Sequence, residues 1–312
     1  MRLSSVTRLK HSTVSPLSAV KSLPGTADSV EIEEFRQKAF YSERPLLLSS
    51  RGTTSNSSTH LASLPAAQKW FNKAGSSLNK SSVLLSSEYL NSYAATILPY
   101  EMAGPLNVPL VDLLKHGRSI QKLEGNSDQF HHFYAPLSLI LSNRSEGLYI
   151  AQAPITDLPP QLQHDLPAPK LVFEAGNGDI YNANIWIGNP PTYTPLHKDP
   201  NPNFFIQLAG RKKLRLCEPQ IGIEIFQQVQ RRLGRVEGDG RFRGKEMMEG
   251  TERKELEEAV WGMDAESKWN IMEVFVEPGD SLFIPKGWWH SVKGLKIGAQ
   301  EGINASVNWW FR

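Results

Sequence analysis

The chain has 312 residues, 40 % of them hydrophobic and 21 % charged, with a formal net charge of +2. This length and apolar content suit one large domain or one domain with an annex, and the near-neutral balance gives no overall electrostatic attraction for nucleic acid. The single cysteine, Cys217, excludes an intramolecular disulfide and a cysteine-based zinc site, and no apolar run approaches the roughly 20 residues that a membrane-spanning helix needs.

Residues 1–27 hold Arg2, Arg8, Lys10 and Lys21 among many serines, with no acid before Asp28. Mitochondrial targeting segments have this composition, and Leu3, Val6 and Leu9 recur at helical spacing. The alternative is a disordered basic leader on a cytoplasmic or nuclear protein. Residues 28–170 read as a mixed α/β half. Val30 to Gln37 forms a short helix, Pro45 to Leu48 a strand, and 49–61 a Ser/Thr-rich loop. Pro65 to Lys73 predicts a helix carrying Trp70 and Phe71 into a core, with Pro65 in the first turn, where its missing N–H costs nothing. A helix-like stretch begins at Leu84 and Leu85 and continues through Tyr89 and Leu90. Ile97 to Met102 is extended, Val108 to His116 helical, and Ser119 to Asn126 a loop. His131 and His132 are adjacent, so on a strand they point to opposite faces and do not serve one ion. Leu148 to Gln152 is a strand, and Leu158 to Ala168 a proline-rich crossing without catalytic signal.

Residues 171–312 form the β-rich half, starting near Asp179. Ile180 to Ile187 is strand-like and ends in Gly188-Asn-Pro-Pro191. Asn203 to Leu208, the turn Ala209-Gly210-Arg211 and Lys212 to Leu216 make a hairpin. In its second strand Lys212, Leu214 and Leu216 share one face, and Lys213, Arg215 and Cys217 the other. The leucines mark the buried face, which draws Lys212 inside; the alternative is that both lysines reach solvent on their long stems. Ile221, Ile225, Val229 and Leu233 recur at every fourth residue, a helical stripe for the outside of a barrel. The charged stretch at about 221–268 reads as an insertion, solvated over Arg231 to Glu258, with a helix from Thr251 to Val260. Val274 to Val276, the turn Glu277-Pro-Gly-Asp280 and Ser281 to Pro285 lead to Trp288-Trp289-His290. The last strand, Asn304 to Phe311, puts Ser306, Asn308 and Trp310 on one face. The tandem tryptophans 288–289 and 309–310 are read as core rather than as a base-stacking platform.

One stretch carries chemistry: Thr194-Pro-Leu-His197-Lys-Asp199, answered by His290. On a strand, residues two apart face the same way, so His197 and Asp199 can meet one ion, and His290 joins from a neighbouring strand. Two imidazoles and a carboxylate on one side of an octahedral ion leave the other side open, which suits Fe(II) with an organic co-substrate and O₂. The tripeptide alone is short, and a solvated His-Lys-Asp turn is the plainer reading of it; the surrounding strands favour the metal.

Several linked motifs occur in order: Tyr149-Ile-Ala-Gln152, Thr194-x-x-His197-x-Asp199-x-x-x-Asn203-Phe-Phe, Gly210-Arg-Lys212, Pro278-Gly-Asp280, Ile284-Pro285, Trp288-Trp-His290 and Val307-Asn-Trp-Trp310. In these the chain resembles the JmjC-domain (cupin-like) 2-oxoglutarate oxygenases over roughly residues 30–312. The pattern is similar to the small hydroxylases typified by the asparaginyl hydroxylase of hypoxia-inducible factor. The resemblance implies a mainly β fold with helices, a double-stranded β-helix (jelly-roll) over 171–312 with an N-terminal helical annex, and Phe133 to Leu141 as one of the annex helices. It implies Fe(II) on His197, Asp199 and His290, and 2-oxoglutarate chelating that iron. The far carboxylate of 2-oxoglutarate would lie on Lys212, with hydrogen bonds from Thr194 and Tyr149. Asn203 and Asn308 would line the same pocket, or else brace the metal ligands. The implied activity is a dioxygenase that consumes O₂, releases succinate and CO₂, and hydroxylates a protein side chain. The alternatives on this scaffold are an RNA-modifying hydroxylase, a lysine demethylase, or a binding module with a spent site. The complete triad with Lys212 and Thr194 argues against the last, the lack of a basic stripe against RNA, and the lack of a chromatin-reader or zinc segment against histone demethylation. The chain stops at Arg312 without the C-terminal helices through which some such proteins dimerise, which leaves the oligomeric state open.

Overall fold

Period-two alternation and β-branched or aromatic residues dominate the second half of the chain, and the result is sheet. The computed structural model describes residues 17–50, 64–73, 83–103, 130–235, 248, 250–296 and 302–312. Its core is two four-stranded antiparallel layers facing each other. The smaller has the order β13 (Met272–Val276), β12 (Arg211–Cys217), β15 (Trp289–Leu295), β10 (Thr192–Lys198). The larger has the order β14 (Ser281–Ile284), β11 (Asn203–Ala209), β16 (Asn304–Phe311), β9 (Ile180–Gly188). This is the double-stranded β-helix. Gly210 makes the β11–β12 hairpin possible: it holds φ +70°, and a Cβ there would stand 2.6 Å from the Ile303 carbonyl oxygen.

The larger sheet runs on beyond the barrel through β8 (Tyr149–Pro154), β6 (Ile97–Ala103) and β7 (Phe130–Pro136), and on its other side through β3 (Leu46–Ser49) and β2 (Lys21–Pro24). β4 (Phe71–Lys73) and β5 (Val83–Leu85) pair separately. The described part of the annex is therefore sheet extension with short helices, such as Ile32–Phe35 and Pro65–Lys69, packed on it. Residues 133–136, expected to open a helix, are the end of β7; Phe133 and Ala135 alternate inward, and full-length pairing with β6 holds them extended, so the helix is confined to Ser138–Ser142. The stretch expected to be helical from Leu84 likewise begins as β5 and turns helical at Ser87–Leu90. The expected helix Val108 to His116, the loop Ser119 to Asn126 and most of the loop 49–61 lie outside the described residues. The annex core is aromatic, with Phe35, Trp70, Tyr100, Phe204, Phe283 and Phe311 all at most 1 % exposed. One polar hub sits in it: Asp165 accepts from Trp70 Nε1 (2.9 Å), Tyr89 Oη (2.6 Å) and Lys69 Nζ (2.6 Å).

Two expectations are corrected. Residues 17–27 are not a free leader. β1 (Ser18–Ala19) adds in parallel to β13 on the smaller sheet, and β2 adds in parallel to β3 on the larger one. Val20 between them is buried among Phe205, Leu214 and Val276, and Leu17 and Leu23 pack on the flanking apolar clusters. An apolar residue at every third position, hidden among serines and lysines, carries the strap across both sheets. Removing residues 1–27 would delete it, which leaves residues 1–16, outside the described residues, as the segment to test for targeting. Nor is the stretch Arg231 to Glu258 wholly solvated: helix Gly250–Trp261 buries Leu256 and Val260 beside the expected outer stripe on helix Pro219–Arg232, whose Ile225 and Val229 pack with Phe226 against Trp289 on the outer face of the smaller sheet. At Gly222 the helix touches the indole so closely that a Cβ would lie 2.0 Å from Trp289 Cγ.

Candidate metal centre

Strand register brings the three distant side chains together. His197 on β10 is paired directly with His290 on β15, and their ring centroids lie 4.2 Å apart. Asp199 follows one residue after β10 ends. Ligand atoms of the three residues all lie within 4.8 Å of one another, and all three are buried. Among the described residues this is the only such grouping of histidines and acids. His132 is exposed and edge-on to Tyr134, away from it, as adjacent strand histidines require.

Each imidazole is aimed by its own backbone. His197 Nδ1 lies 2.8 Å from the Pro195 carbonyl oxygen, and His290 Nδ1 3.4 Å from that of Trp288. A carbonyl only accepts, so these partners favour a proton on Nδ1, the tautomer in which Nε2 can ligate. The two Nε2 atoms face the carboxylate, at 4.0 Å from Asp199 Oδ1 for His197 and 3.6 Å from Oδ2 for His290. Burial, followed by the neighbouring His290, holds the His197 imidazole well below its ordinary range, which keeps it neutral and able to ligate. Asp199 is braced in turn. Its Oδ2 accepts from Asn203 Nδ2 (2.8 Å) and Trp310 Nε1 (3.0 Å). Asn203 Oδ1 accepts from Asn308 Nδ2 (3.2 Å), whose Oδ1 accepts from Trp186 Nε1 (2.7 Å). Both asparagines line the cavity, and their bonds run toward the carboxylate, the bracing alternative of the two readings.

The triad opens into a cavity of about 340 Å³ that Tyr149, Thr194, Asn203, Lys212 and Asn308 also line. Every residue singled out from the sequence thus meets in one space. Lys212, 2 % exposed, donates to Ser306 Oγ (2.8 Å) and Tyr149 Oη (3.2 Å) and has no carboxylate against it among the described residues. Burial alone lowers its pKa to about 7. Tyr149 is pushed up by burial, then by Glu101, so its phenol stays protonated. With their oxygens taken by the ammonium, both hydroxyls keep a hydrogen to donate. The cluster is a receptor for an anion.

Both cofactors pass a test of fit on these features. Two imidazoles, a braced carboxylate and an open side match the donor set for Fe(II), and a buried ammonium flanked by hydroxyls matches the free carboxylate of 2-oxoglutarate. Sequence reading missed Ser306, Trp186 and Trp310 as partners. Ser306, Asn308 and Trp310 were placed on one face, but the strands that face meets become known only with the register. Trp288, Trp289 and Trp309 are core, as expected; Trp310 reaches into the cavity.

The cupin-like domain family model matches residues 35–312. Among curated proteins, the Lysine-specific demethylase JMJ30 of Arabidopsis thaliana is 28 % identical over 182 residues, 58 % of this chain and 38 % of that protein. Lysine-specific demethylase 8 of Danio rerio is 28 % identical over 176 residues, 55 % of this chain and 38 % of its own length. JmjC domain-containing protein C of Dictyostelium discoideum is 29 % identical over 171 residues, 53 % and 35 %. The matched region is well under half the length of each of these relatives.

Proposed function

The chain belongs to the cupin-like (JmjC) domain family, and on that premise we propose that it is an Fe(II)- and 2-oxoglutarate-dependent oxygenase that hydroxylates a neutral protein side chain. The observation that supports it is the meeting, in one cavity, of the buried triad and a buried ammonium that has no anionic partner among the described residues. His197, Asp199 and His290 would hold the iron. The chemistry supplied by the bound iron is oxidative decarboxylation of 2-oxoglutarate by O₂ to succinate and CO₂, coupled to insertion of the second oxygen atom into a substrate C–H bond. Lys212 would pair with the far carboxylate of 2-oxoglutarate, with Tyr149, Ser306 and Thr194 donating to it, which orients the keto-acid end toward the triad. Asn203 and Trp310 hold Asp199 still, and Trp186, Phe205 and Leu214 line the same cavity, Phe205 beside Lys212.

Charge favours a neutral target. Of the described residues lining the cavity, Asp199 is the only carboxylate, and it is assigned to the metal. A cationic side chain drawn into the cavity would find no unassigned carboxylate among these lining residues. The second reading, lysine demethylation, draws on the printed names of the relatives; it begins with the same C–H hydroxylation, on an N-methyl group, and ends with loss of formaldehyde. Incubation of Fe(II)-loaded protein with 2-oxoglutarate and a cell-extract peptide library separates them. The proposal expects succinate, and peptides that retain one added oxygen on an uncharged residue. Formaldehyde with demethylated lysine replaces it by the second reading, and no succinate above that of the His197→Ala variant rejects both.

A further inference from the structure

We propose that the helical insertion sets the geometry of the metal site through Trp261 and Ser291, two positioning residues that hold the bulge on which His197 and Thr194 stand. The inference rests on the iron reading of the triad and goes beyond it, to residues outside the cavity.

The β10–β15 ladder is in register at Thr194↔Val292 and again at His197↔His290, with a shift between. Two residues, Pro195 and Leu196, therefore stand opposite one, Ser291: a β-bulge. A bulge breaks ladder bonds locally, and Pro195 brings no N–H. The Pro195 carbonyl is taken by His197 Nδ1 (2.8 Å), a bond that fixes the plane of the imidazole. The Thr194 carbonyl is taken by Ser291 Oγ (2.8 Å). Ser291 is fully buried, and its hydroxyl has a second contact, with Trp261 Nε1 at 2.9 Å. An indole N–H only donates, so it occupies the acceptor side of Oγ and directs the serine hydrogen to Thr194. One hydrogen-bond chain thus runs from the end of the Gly250–Trp261 helix, through Ser291, to the backbone between Thr194 and His197.

The helix end is itself fixed. The Trp261 ring has Arg215 at 4.8 Å and Lys293 at 4.8 Å. Arg215 donates to the Val260 carbonyl (2.7 Å), to Glu266 (2.7 Å) and to Glu273 (2.9 Å). The wiring reaches the strand of a metal ligand from the far side of the sheet, so a change in the insertion is felt at the site although no described residue of the insertion lines the cavity.

The test uses Co(II), followed by its visible absorption, on the full chain, with thermal unfolding measured in parallel. Wild type is expected to bind one Co(II). Trp261→Phe and Ser291→Ala are each expected to bind it roughly threefold to tenfold more weakly, at or below the roughly tenfold minimum for losing a direct partner of a metal ligand because the relay acts through the backbone, with a shifted ligand-field band. The double variant should be little worse than either single one. Leu256→Ala, which removes a fully buried side chain from the same helix without touching the relay, is expected to lower the melting temperature while leaving the band and the affinity unchanged. Variants that bind Co(II) as tightly as wild type overturn the relay. So does Leu256→Ala weakening binding in the same proportion to its lost stability, which would make the effect general loosening. A wild type that binds no Co(II) removes the metal reading itself, and the relay with it.

Discussion

Lys212 and Arg215 stand three residues apart on one strand, both are buried, and they point to opposite faces. On the outer face Arg215 is fully answered, by Glu273, Glu266 and the Val260 carbonyl. On the inner face Lys212 has two hydroxyls and, among the described residues, no carboxylate. A cation that the fold satisfies is holding the fold together. A cation that the fold buries without an anion costs stability, and such a cost marks a place kept for a ligand.

The contrast is tested by removing each cation. Arg215→Met leaves Glu266 without its partner and Glu273 with Lys213 alone, so it should destabilise the fold by about 3 kcal/mol, the low end of the cost of breaking a buried pair, read by chemical denaturation. Lys212→Met should do the reverse: melting temperature unchanged or higher, and the 2-oxoglutarate requirement for turnover raised on the order of 100-fold, as loss of a buried charge-assisted pair implies. Lys213, the residue between them in phase with Arg215, should when changed to alanine move that requirement less than about twofold, since its ion pair with Glu273 is partly exposed. Equal effects of Lys212→Met and Lys213→Ala would reject the assignment of faces.

Protonation sharpens the same contrast. Burial lowers Lys212 from its ordinary range to about 7. Between that value and the ordinary lysine pKa of about 10.4 the unfolded chain holds the proton and the folded chain does not, so stability rises with pH across this window. The burden of Lys212 is therefore greatest at and below pH 7, and the stability difference between Lys212→Met and wild type should shrink toward pH 10. Co-substrate binding has the opposite slope. An anion that recharges the amine must bring a proton with it above pH 7, so 2-oxoglutarate affinity should fall up to about tenfold per pH unit there, with proton uptake seen by calorimetry in buffers of different ionisation heat. A flat profile from pH 7 to 9 would mean that Lys212 is charged before the ligand arrives.

How much of this was legible in the sequence follows from distance along the chain. The His197–Asp199 pair and the inward phase of Lys212 need only the two-residue period of a strand, and both hold in three dimensions. Asp199's brace through Trp310, and Lys212's through Ser306, depend on how β16 registers against its neighbours more than ninety residues away, which no local pattern specifies. The strap Leu17 to Pro24 was read as a leader because its apolar residues are diluted by lysine and serine, and only two sheet edges lying ready make it a strand. The charge over Arg231 to Glu258 hid part of a second small core, and the partners of Arg215 were equally illegible, because its acids, Glu266 and Glu273, are far off in sequence.

The central claim is that His197, Asp199 and His290 share one iron. Anaerobic equilibrium dialysis of Fe(II) against wild type and Asp199→Ala tests it most directly. One Fe(II) retained per wild-type chain, and essentially none per variant chain at the same free metal, is the expected result; wild type that retains no iron, or a variant that retains it equally well, would contradict the assignment.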